Sequence, residues 1–102
     1  MSIFANRLKQ ARKQAGLSQE RLGVLAGIDE MSASARMNQY ERGKHGPDFS
    51  MVERIAAVLK VPEAYFYVKD DALAALLVDF HRMDQAQQQV VIDVVRKLRQ
   101  EV

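Results

Sequence analysis

The chain has no cysteine, no long apolar run and few strand signals. Without cysteine there is no disulfide framework and no thiolate zinc site, and the chemistry suits a reducing cytoplasm. No stretch approaches the ~18–20 consecutive apolar residues that span a membrane. The opening MSIFANRLKQ lacks the apolar centre and small-residue cleavage site of a signal peptide. These absences lead us to expect a cytoplasmic protein. Internal repeats and Gly/Ser linkers are missing too, and QAQQQ is too brief and too helix-compatible to read as disorder.

What is present is one domain's worth of helix-forming sequence. The 102 residues are 48% hydrophobic, enough for a small core that a dimer would reinforce. The net charge of +2 hides an asymmetry. Residues 1–45 carry eight Lys/Arg against four acids, and residues 46–102 carry seven against nine. A basic front half suits an anionic partner, of which nucleic acid is the commonest.

Helical periodicity runs the length of the chain. Phe4, Leu8, Ala11 and Ala15 share a face, and Gly16 ends that helix. Ser18 caps a second helix whose inward face is Leu22, Leu25 and Ala26, closed by Gly27. A third carries Met37 and Tyr40 inward and stops at Gly43. Pro47 and Asp48 open a fourth, with Val52, Ile55, Ala56 and Leu59 as its stripe. Pro62 begins a short fifth turn through AYFY. Asp70–Asp71 start a sixth helix with Leu73, Leu76, Leu77 and Phe80 apolar. Asp84 with Gln87 forms a capping-box variant opening the last. The fold class is therefore all-α. Five short helices fill residues 1–68, and residues 69–102 add a two-helix C-terminal extension.

The third helix, within GIDEMSASARMNQYERGKH, poses the functional question. With Met37 and Tyr40 inward, a step of about 100° per residue sends Ala35, Asn38, Gln39 and Arg42 outward, with Ser32 beside them. Amides suit adenine edges, arginine suits guanine, and small residues admit close approach to thymine methyls. A solvated polar face is the plain alternative. Two helices around a glycine turn, one opened by Gln19 and one presenting Gln39, have the order of a helix-turn-helix, in which the second helix enters the major groove.

Across residues 5–68, Leu17-Ser18-Gln19, Tyr40-Glu41-x-Gly43, Pro47, Ile55-Ala56 and Leu59-x-Val61-Pro62 resemble the phage-repressor-like (Xre-type) helix-turn-helix family in type and spacing. The resemblance implies a five-helix repressor-like DNA-binding domain and a bacterial or phage regulator acting by operator occupancy. It implies base-facing positions at Ser34, Ala35 and Gln39, with Asn38 adjacent. Gln19 would approach a phosphate, Lys44 and His45 would meet the sugar-phosphate backbone, and Arg36 and Arg42 complete the expected DNA-binding set. It also implies that Arg12 pairs with Glu41, a structural tie between the first and third helices. Two departures stand out. Gly23 occupies a position that is usually alanine. Four extra residues fall around DEMSAS, so that either the turn is longer or the third helix gains a turn with Asp29 as its cap.

No catalytic grouping accompanies this pattern. There is no Gly-rich phosphate loop or nucleophile elbow, and His45 and His81 lie in different regions. Asp79 and His81 do not share a helix face, and Asp70–Asp71 suit a helix start. We expect no enzyme, metal or cofactor. The expected partners are an operator duplex and a second copy of the chain. Val91, Val95, Leu98 and Val102 form a continuous stripe, widened by Val94, that would make the dimer or pack back on Leu73, Leu76, Leu77 and Phe80. The rival functional class is a helical protein-interaction module, antitoxin-like or adaptor.

Overall fold

The computed structural model describes residues 2–100. Six α-helices and one 3-10 turn follow in the order α1 (Ile3–Gln14), α2 (Gln19–Leu25), α3 (Glu30–Glu41), α4 (Phe49–Leu59), the 3-10 turn (Glu63–Tyr67), α5 (Asp71–Arg82) and α6 (Gln85–Gln100). The expected fifth helix is thus a tight 3-10 turn, placing Tyr65 and Phe66 in the core. Val102 of the expected dimer stripe lies outside the described residues.

Local chemistry sets most boundaries. Ser2, Ser18, Asp29, Asp48 and Asp70 each accept a hydrogen bond from a backbone N–H in the first turn of the helix they precede. Asp84 and Gln87 exchange side-chain and backbone hydrogen bonds at 2.8 and 3.0 Å, closing the capping box before α6.

One apolar core unites α1–α4 and the 3-10 turn around Leu8, Leu22, Met37, Val52, Ile55 and Phe66. Two sequence expectations change here. Ala15 is the exposed cap residue of α1. Leu25 is 45% exposed, on the rim of a depression between α2, the end of α4 and α5. Leu22 and Ala26 carry the inward face of α2, and Ile28, beyond the glycine, joins them in the core.

The C-terminal extension is tied to this core by two arginines. Arg7 is buried on α1. Its guanidinium donates to the carbonyls of Val68 (3.0 Å) and Lys69 (3.1 Å), meets Asp71 at 2.9 Å and lies 5.7 Å from the centre of the Tyr65 ring. Arg82, at the other end of α5, donates to the carbonyls of Leu59 and Lys60 where α4 ends. Those carbonyls have no helical partner, so the arginine takes the role of a cap. Spacing could have flagged Arg7, which falls between Phe4 and Ala11 at i+3 and i−4 on the inward face of α1.

Beyond α5 the chain leaves the core. No described residue of α6 is buried. Val91 and Ile92 are half-covered beside Leu76, Leu77 and Phe80, whereas Val95 (50%) and Leu98 (58%) are exposed. The stripe therefore packs back on α5 only at its start. The molecule measures 54 × 27 × 23 Å with a radius of gyration of 15.6 Å. A compact chain of this length would have a radius of about 13 Å.

Candidate nucleic-acid interface

α2 and α3 are packed more closely than any ordinary pair of side chains would allow. A Cβ placed on Gly23 would meet the Ala33 Cβ at 2.8 Å and the Ala33 carbonyl oxygen at 3.0 Å. The two departures from the family pattern are therefore linked. The extra residues become helix: α3 begins at Glu30, with Asp29 capping the N–H of Met31 at 3.1 Å. The added turn seats Ala33 directly on Gly23.

The turn between α2 and α3 is braced from α4. Arg54 Nε donates to the Ala26 carbonyl at 2.8 Å and Nη1 to the Ser50 hydroxyl at 2.9 Å. The far end of α3 is held from α1. Arg12 grips Glu41 in a bidentate pair, Nε to Oε2 at 2.6 Å and Nη2 to Oε1 at 3.1 Å, while its Nη1 donates to the Leu17 carbonyl at 2.9 Å. Glu41 is 3% exposed. Pairing and hydrogen bonding offset the desolvation of such a carboxylate, and a lost partner would leave it uncompensated.

Gln19 enters the same network. Its Nε2 donates to Glu41 Oε1 at 3.2 Å and to Asn38 Oδ1 at 3.3 Å. The amide hydrogens that the resemblance would direct at a phosphate are thus turned to α3. Asn38 is correspondingly half-buried. A glutamine opening one helix and an asparagine three positions before the buried glutamate of another gave no sequence signal for this contact, because it depends on how α2 crosses α3.

The remaining expected residues spread around the exposed surface of α3. Ala35, Gln39 and Arg42 point away from the buried Ala33, Met37 and Tyr40. Ser34 and Arg36 are exposed too, but stand on opposite flanks, each about 100° from Ala35. They border the outward face, with Ala35, Gln39 and Arg42 at its centre. Gly43, at φ 72°, lets the chain reverse in the left-handed region, and the Lys44 N–H closes on the Gln39 carbonyl at 3.0 Å. Lys44 and His45 follow in an exposed loop beside the end of α3. Met31, on the added turn, shares the outward face and was absent from the expected set.

The surface offers donors, an amide and a guanidinium on a rigid convex helix. Among the described residues, no group of three or more His, Cys, Asp and Glu could hold a metal ion. No described helix is long and apolar enough to cross a membrane.

Comparison with known proteins matches this geometry. A family model described as a helix-turn-helix domain covers residues 3–65. The uncharacterized HTH-type transcriptional regulator RghRB of Bacillus subtilis (strain 168) is 38% identical over 63 residues, which are 61% of this chain. The match spans only 42% of that relative's length. The crystal structure of the transcriptional regulator BswR superposes with a TM-score of 0.84 at 43% identity, covering 95% of this chain and 94% of that one. The likeness to BswR thus extends over most of the region beyond residue 65.

Proposed function

The chain belongs to the helix-turn-helix domain family, and on that premise we propose that it regulates transcription by occupying an operator, with α3 in the major groove. The observation that carries this reading is the outward face of α3. Ala35, Gln39 and Arg42 are exposed on a helix immobilised by Gly23–Ala33 packing at one end and by Arg12–Glu41 at the other. A helix held rigid in this way has no backbone left to order when its side chains meet base edges. Ser34, Arg36 and Lys44 border that face and serve the sugar-phosphate backbone. Gln19 acts chiefly on Asn38 and Glu41, fixing the angle between α2 and α3. The N-terminus of α2 would still offer its backbone N–H groups to a phosphate.

A single recognition helix reads only a few base pairs. Residues 69–102 form an arm with exposed Val90, Val94, Val95 and Leu98 on α6 and Leu73 and Leu76 on α5. That apolar area adjoins the groove between the two helices, which Leu76 and Val95 also line. A second copy would cover it, placing two α3 helices about one DNA turn apart. The same apolar face would serve a heterologous helical partner in an adaptor, and a homodimer is the reading that also meets the needs of operator binding. We take repression by occupancy in a bacterial cytoplasm as the mode, because it requires only that α3 hold the operator.

The deciding experiment is selection of duplexes from a random pool with the purified chain. Enrichment of a two-fold symmetric site, bound with an affinity that falls steeply with salt, is expected. Failure to enrich any sequence, with a stable complex formed instead with another protein, would favour the adaptor.

A further inference from the structure

α3 starts a full turn before the stretch that carries Ala35, Asn38 and Gln39. The side chains of that added turn have separate fates. Asp29 uses its carboxylate on the Met31 N–H. Glu30 lies toward α2, in one depression with Ser18, Glu20, Arg21 and Val24. Met31 is sent outward and is 92% exposed, more than any other large apolar residue described.

A lone exposed methionine is ordinary on a protein surface. This one is distinguished by its place. Ala35, Asn38 and Arg42 follow it at i+4, i+7 and i+11, so it continues the outward face of α3 by one turn. It lies about 6 Å along the helix from Ala35, roughly two base steps on a duplex. The neighbouring carboxylates of Asp29 and Glu30 repel phosphates. They disfavour any docking in which this turn rests on the backbone, and favour one in which it points along the groove floor. There a thioether has one good counterpart. It cannot hydrogen-bond as a donor, it is unbranched and polarizable, and the thymine C5-methyl is the apolar feature of the major groove.

We propose, resting on the operator-binding reading above, that Met31 is a specificity-determining residue that contacts a thymine methyl. The added turn of α3 thereby extends the sequence read by each half of the dimer beyond the reach of Ala35 and Gln39.

The test uses the full chain. Duplexes are selected from a random pool with the natural protein, with Met31→Ala and with Met31→Gln. A side chain this exposed supports no folded contact, so thermal unfolding of the variants should match the natural protein. One position per half-site, a thymine for the natural protein, should lose its preference in both variants while the rest of the site is retained. Replacing that thymine by deoxyuridine, which lacks only the methyl, should weaken the natural protein about fourfold, the worth of one buried methyl. It should leave Met31→Ala unchanged. If Met31→Ala selects the same site, or pays the same deoxyuridine penalty, the inference is overturned while operator binding stands. If the natural protein enriches no duplex, the operator reading fails and this inference falls with it.

Discussion

Arg12 and Glu41, 29 positions apart, are joined by two hydrogen bonds that tie α1 to the last turn of α3. Their side chains are 12% and 3% exposed. Replacing either by alanine should cost about 3–5 kcal/mol, read as a loss of roughly 10 °C or more in Tm. The double replacement should cost less than the sum, because the second removal no longer strands a charge. Strict additivity in the thermal unfolding of the four proteins would show that the pair does not act as one.

Gly23→Ala reverses the usual expectation. In an open helix the change stabilises by about 0.5–1 kcal/mol. Here the new methyl meets Ala33 at 2.8 Å, and forcing the helices apart should cost about 1–3 kcal/mol. Adding Ala33→Gly should restore part of the loss. The carbonyl at 3.0 Å remains in the way, so the rescue is incomplete. A Tm that rises for Gly23→Ala would contradict the close packing.

Gln39 and Lys44 should separate base reading from backbone contact. Gln39→Ala should cost about 1–3 kcal/mol at one operator position and relax the preference there. Lys44→Ala should weaken all sequences alike and lower the salt slope by about one. Unchanged base preference in Gln39→Ala, measured by competition among single-position operator variants, would mean that α3 docks in a different rotation.

The arm should carry the dimer. Leu98→Glu and Val94→Glu place charge on an apolar face that is exposed in the single chain. Folding of the monomer should be untouched. Sedimentation should show monomers, and operator affinity should fall at least tenfold. A chain cut after Met83 should behave the same way, because both arginine ties of α5 lie before the cut. Dimers persisting in all three would locate the interface elsewhere, with the half-exposed Tyr67 as the next place to change.

Tyr65 should make stability fall in alkali. Burial raises its pKa, and the nearby positive charge of Arg7 draws it part of the way back. The unfolded chain then loses the phenolic proton first. The contribution is complete below about pH 10 and is lost as pH rises from there through the folded pKa. Denaturant unfolding between pH 8 and 11 should show a shallower decline for Tyr65→Phe. Parallel curves for the two proteins would remove Tyr65 as the cause.

The helices, their caps and the outward face of α3 are local matters, and the sequence determined them. Serine and aspartate caps act within one turn. The 3.6-residue period names the buried Met37 and Tyr40, and with them the exposed Ala35, Gln39 and Arg42. Only tertiary structure decided what the four extra residues become, since helix and longer turn differ locally by little. The room at Gly23 for Ala33 tips that balance in favour of helix. The same holds for Gln19. Its residue type fits a phosphate contact, but its partners are set by the crossing of α2 over α3, which brings Asn38 and Glu41 within reach. Arg82 likewise reads as an ordinary surface cation until the end of α4 presents unpaired carbonyls to it, and Arg7, inward by spacing, finds its carbonyl partners only where the chain leaves the 3-10 turn. The apolar stripe of α6 was legible as a stripe. That α5 covers only its beginning is a matter of how α5 and α6 pack against each other.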